Sequence, residues 1–170
     1  MSTTPETNAR RRSSTGRRSV RSWVDDTLFG PETGARLTIA HVGLALLIAA
    51  RASSPMYHRL AELPDALVDP VPLLPGLSSM PPAWAIIALQ VVTVAAGVAA
   101  AARWRPRHTF AVAWLGLLVL AALRGSRGKV LHNELLLLWA TTPFLLAPTD
   151  VSLRDRVASR RFGWVVRSAI

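Results

Sequence analysis

The chain has no cysteine, a single tyrosine, a single lysine (Lys129) and only ten acidic residues in 170. Without cysteine there can be no disulfide framework, no thiolate nucleophile and no Cys-ligated metal, although the lack fits either redox compartment. The four histidines, His41, His58, His108 and His132, show neither an HExxH pattern nor paired spacing, so no metal site is expected. Charge is also sparse. With 18% charged and 51% hydrophobic residues and a mean hydropathy of +0.31, the composition is that of one small membrane domain whose core is completed by lipid.

The charge that is present is mostly arginine, and the net value is +10. In a soluble protein that balance would point to nucleic acid. Between long apolar runs it instead sets membrane orientation and attracts anionic lipid, so membrane lipid is the expected partner and nucleic acid is not.

Residues 1–35 read as a disordered basic tail followed by an interfacial segment. Arg10, Arg11, Arg12, Arg17, Arg18 and Arg21 have almost no apolar neighbours, and Trp23, Phe29 and the turn pair Gly30-Pro31 follow. The first long apolar run begins only at Leu37 with no clean cleavage site nearby, which favours a cytoplasmic tail over a cleaved signal. Leu37 to Ala50 is too short to cross a bilayer unless its helix extends past Arg36 and Arg51. His41, inside this run, reads as a hydrogen-bonded packing residue. Seven prolines between Pro55 and Pro82 exclude a long helix there, and Pro70-Val-Pro-Leu-Leu-Pro reads as a lid over the bundle.

Ala83 to Ala102 is the cleanest spanning signal, with small residues in its later half that permit close helix approach. A basic turn, Arg103-Trp-Arg-Pro-Arg107, leads to a third span at His108 to Leu123, and a fourth runs from Val130 to Ala147 across Pro143. Residues 151–170 are basic again and end as the start of a further helix. The expected fold is therefore an all-α integral membrane bundle of four transmembrane helices with a partial fifth, the membrane domain covering 36–150. Counting Lys and Arg puts the N-terminus in the cytoplasm and the 52–82 and 124–129 connections outside, in the cell membrane.

The second outer connection breaks the charge rule. Arg124, Arg127 and Lys129 place three cations within six residues on the outer side, where they would bind an anion or pair with Glu62, Asp65 or Asp69. Gly125-Ser-Arg-Gly-Lys129 fails the phosphate-loop pattern because Val130 follows the lysine. His132, Asn133 and Glu134 come next, about 100° apart on a helix, so they cannot all share one face. His132 is the best candidate for acid–base work, since it donates and accepts a proton near neutral pH. Asn133 would assist as an orienting group or donor. Glu134 reads equally as part of an anion or substrate site, a helix cap, or a partner of Lys129.

Tyr57-His-Arg-Leu-Ala-Glu-Leu-Pro, Pro70-Val-Pro-Leu-Leu-Pro and Gly128-Lys-Val-Leu-His-Asn-Glu-Leu-Leu-Leu-Leu, in that order between apolar runs, resemble bacterial members of the HTTM family. These are membrane-domain relatives of vitamin K-dependent gamma-carboxylase. The likeness covers residues 36–170, most specifically 124–148. It implies oxidation of a reduced quinone co-substrate, coupled to proton removal on the extracytoplasmic side, with the family's functional histidine at His132. The family's quinol-deprotonating lysine would lie beyond Ile170, which leaves family-type carboxylation without its base. The chain thus reads as a fragment or a shortened member. A non-catalytic membrane subunit that packs against a partner and a small DoxX-like redox membrane protein are the other readings.

Overall fold

The computed structural model describes residues 31–62, 64, 67–69, 71, 73–76, 78–126, 132–152, 154 and 158–167, with backbone alone for 132, 133, 160 and 161. The tail at 1–30 lies outside these residues. The chain is an all-α bundle with one minimal two-stranded pairing, β1 (Glu32–Thr33) antiparallel to β2 (Ala158–Ser159), Glu32 opposite Ser159.

Helix α1 (Gly34–Ala52) starts where Thr33 caps it, the hydroxyl accepting the Arg36 amide at 3.3 Å. Its 19 residues rise about 28 Å, close to the thickness of a hydrocarbon core. The helix does extend past Arg36 and Arg51, as the short apolar run requires. A 3-10 helix (Pro55–Glu62) continues it and buries Tyr57 and Leu60, the i and i+3 pair that 3-10 geometry stacks on one side.

Helix α2 (Ala83–Ala101) returns antiparallel. A Cβ on its Gly97 would stand 3.0 Å from both the Ala45 carbonyl and the Ala49 Cβ, so glycine sets how closely α1 and α2 approach. The turn into α3 (Pro106–Gly125) carries two non-glycine residues in left-handed conformation, Arg103 (φ 63°) and Arg105 (φ 42°). Arg103 is held there by donating to the Thr149 carbonyl at 3.0 Å and the Val151 carbonyl at 2.8 Å. Gly116 of α3 lies against Thr93 of α2.

Helix α4 (His132–Thr141) is short and passes into a 3-10 helix (Thr142–Leu146), because Pro143 offers no amide to the ladder. Thr141 and Thr142 repair that last turn, donating to the Leu137 and Leu138 carbonyls at 2.7 Å each. Among the described residues, the helices long and apolar enough to cross a membrane are α1 with its 3-10 continuation, α2 and α3. The fourth apolar helix, Glu134–Leu146, is shorter than these, and residues 127–131 ahead of it lie outside the description. The expected partial fifth helix is α5 (Arg160–Arg167), which packs its Val165 into the core beside Leu37.

The bundle has two ends. At the terminal end, Leu37, Phe110, Phe144 and Val165 belong to the larger apolar cluster. At the loop end, Tyr57, Leu60, Ile86, Leu120 and Leu123 form a smaller one, covered by Leu74 and Met80 from the proline-rich connection. That connection is pinned down: the Asp69 amide donates to the Ser126 carbonyl at 2.8 Å, and Val71 lies beside Gly125. Trp84, Val91 and Val98 of α2, with Leu136 and Trp139 of α4, are exposed, the surface expected of helices in lipid.

Candidate functional site at the loop end

Glu134 is 1% exposed, in the first turn of α4. One carboxylate oxygen, Oε1, accepts from Arg51 Nη2 at 2.7 Å and from Arg124 Nη1 at 2.6 Å. Arg51 comes from the last turn of α1 and Arg124 from the last turn of α3. Both arginines sit where a helix C-terminus favours cations, while the carboxylate sits at a helix N-terminus that favours anions. Three helix dipoles and three formal charges thus agree on one point in space.

Arg124 is the more enclosed cation, its side chain 18% exposed against 42% for Arg51. Tyr57, 1% exposed, lies in the same apolar cluster as Leu123, the residue before Arg124. Beneath them Gln90 of α2 donates its amide to the Ala52 carbonyl at 2.7 Å and the Ser54 carbonyl at 3.0 Å, tying α2 to the end of α1. The Ala52 carbonyl is in the last turn of α1, where a side chain must satisfy it when water is excluded, and the Ser54 carbonyl also accepts the Tyr57 amide at 3.3 Å. Ser126, fully buried, donates to the Ala122 carbonyl and closes α3 under the connection at 69–71.

Among the described residues the cluster of Arg51, Arg124 and Glu134 carries one more positive than negative charge, and Arg51 is its solvent-facing member. The arrangement suits an anionic or oxygen-rich group approaching the two arginines.

Arg124 pairs with Glu134, ten residues along the chain, a partner not among those expected for it. Glu62 and Asp69 are exposed instead. Both hydrogen bonds to Glu134 Oε1 come from arginines, so the carboxylate serves as their counter-ion. Arg127, Lys129 and Asp65 lie outside the described residues. His132 and Asn133 open α4 directly before Glu134, which sets their backbone beside the cluster; their side chains are outside the description.

Sequence reasoning missed Arg51, Tyr57 and Gln90. Arg51 was visible as a charge closing an apolar run, and Tyr57 as the only tyrosine, but Arg51 meets its partner across 83 residues. His41 is a packing residue, as expected, yet neither ring nitrogen is hydrogen-bonded, contrary to expectation. Among the described residues no group of three or more His, Asp or Glu is placed to hold a metal ion.

Comparison of the chain with protein-family models, with curated proteins and with solved structures found no match.

Proposed function

We propose that this chain is a multi-pass membrane protein that binds a lipophilic, quinone-like substrate at the loop end of the bundle and exchanges a proton with it there. The observation that carries the reading is the buried Glu134 carboxylate held between Arg51 and Arg124, a cluster with two cations to one anion among the described residues. A quinol oxygen gains anionic character as it loses its proton, and a fixed cation nearby stabilises that change. His132, two residues before Glu134, is the proton acceptor and donor in this reading, with Asn133 as a hydrogen-bonding assistant and Arg127 and Lys129 as further cations of the same mouth. Glu134 locks the start of α4 so that His132 is held in position. The N-terminus faces the cytoplasm, which puts the site on the extracytoplasmic side.

A purely structural subunit is less well supported. The small-residue surface at Gly97 is already used within the chain, against Ala45 and Ala49. The test is calorimetric titration of the full chain in lipid nanodiscs with a short-chain quinol, beside the His132→Ala variant. Saturable binding is expected, with proton uptake or release lost in the variant while its thermal midpoint is kept. No binding by the wild-type chain, or identical proton release in the variant, would overturn the reading. Reporter fusions at residues 65 and 126 check orientation, and a cytoplasmic signal at either refutes it.

A further inference from the structure

The terminal end holds two polar side chains whose hydrogen bonds go nowhere. Thr38 is 3% exposed and His41 2% exposed. Among the described residues neither Thr38 Oγ1 nor either ring nitrogen of His41 has a partner. The imidazole lies between two rings, with centroids 4.5 Å from Phe110 and 6.3 Å from Phe144, and those faces offer it no conventional acceptor. The nearest guanidinium, Arg103, is committed to the carbonyls of Thr149 and Val151.

Buried polar groups in native proteins are almost always satisfied, and an apparent orphan most often marks a bound water or ion. A cation does not suit this place, because the described residues assemble no second or third ligand around His41. A water does. Neutral imidazole offers one donor and one acceptor, and a threonine hydroxyl offers both. Thr38 and His41 are i and i+3 on α1, so their side chains stand roughly 5–6 Å apart on one face, a gap that two hydrogen bonds to one oxygen close.

An open cleft of about 430 Å³ lies at the same end, its lining including Arg107, Ala147, Thr149, Asp150 and Trp164. Phe110 follows Arg107 by three residues and Phe144 precedes Ala147 by three, so the two rings against His41 are each about one turn from the cleft wall.

We infer that Thr38 and His41 form a buried water-binding site, supplied from this cleft, in which His41 exchanges protons inside the bundle. It lies about 15 Å along α1 from Arg51 and is independent of the Glu134 cluster.

The test uses the full chain in nanodiscs. Thr38→Val is nearly isosteric and removes only the hydroxyl. If Thr38 is an empty orphan, the substitution raises the thermal midpoint; if Thr38 holds a water, the midpoint falls by roughly 3–6 °C. Histidine-labelled protein supplies the second readout, a water-to-imidazole exchange cross-peak in the NMR spectrum that is expected in the wild type and lost in Thr38→Val. A raised midpoint, or no exchange between water and the His41 ring in the wild type, refutes the site.

Discussion

Removing the Glu134 carboxylate should be the most damaging single change at the loop end, and its size follows from the exposure of what is left behind. Glu134→Ala strands two arginines. Arg51 is 42% exposed on its side chain and can turn to water, so its share is that of a surface pair, below about 1 kcal/mol. Arg124 is 18% exposed, so its share is closer to the penalty for breaking a buried pair, about 3 kcal/mol. The total, about 3–4 kcal/mol, corresponds to a loss on the order of 6–12 °C in thermal midpoint for a chain of this size.

Glu134→Gln should lose nearly as much, because an amide that turns its N–H groups toward a guanidinium is a poor substitute for a carboxylate. The decisive comparison is the double variant Arg124→Leu, Glu134→Leu. Replacing both buried partners by apolar groups removes the stranded charge, so the double variant should recover most of the midpoint lost by Glu134→Ala. Unfolding in mild detergent, followed by tryptophan fluorescence, measures all three. A Glu134→Ala midpoint within about 1 °C of wild type would show that the cluster is solvated and refute the argument from burial.

Further outcomes are expected elsewhere. Gly116→Ala places a Cβ 3.0 Å from the Thr93 Cβ and closer still to its hydroxyl, which is anchored on the Leu89 carbonyl at 2.6 Å. The helices must separate, at about 1–3 kcal/mol, and adding Thr93→Ala should restore the midpoint. Gln90→Leu leaves the Ala52 and Ser54 carbonyls without its amide and should cost about 1–3 kcal/mol, read as faster hydrogen exchange around residues 53–57. Arg103→Gly and Arg105→Gly both relieve a left-handed backbone, yet should differ in sign. Arg105→Gly should stabilise by up to about 1 kcal/mol, whereas Arg103→Gly also loses two carbonyl contacts and should lower the midpoint.

The apolar runs alone determined an all-α bundle with three helices long and apolar enough to cross a membrane. Nineteen or twenty residues must form a helix in lipid to satisfy their own backbone, so α1, α2 and α3 could be placed to within a few residues from hydropathy and flanking arginines. The proline-rich connection and the interruption at Pro143 were equally local matters of a missing amide, and the α-helical ladder of α4 stops at Thr141 just ahead of that proline.

Partnership was decided only by the tertiary structure. Residues near 124–134 stood out in the sequence as misplaced cations beside a polar triplet, but which charge meets which depends on how three helix ends converge. Arg51 and Glu134 meet across 83 residues, and no periodicity encodes that contact. The same holds for Thr38 and His41, whose spacing puts them on one face while the packing of Phe110 and Phe144 leaves them without a partner. Helix formation is local because the backbone bonds within its own segment; the pairing of buried charges is global because each ion takes whatever counter-ion the packed bundle brings within reach.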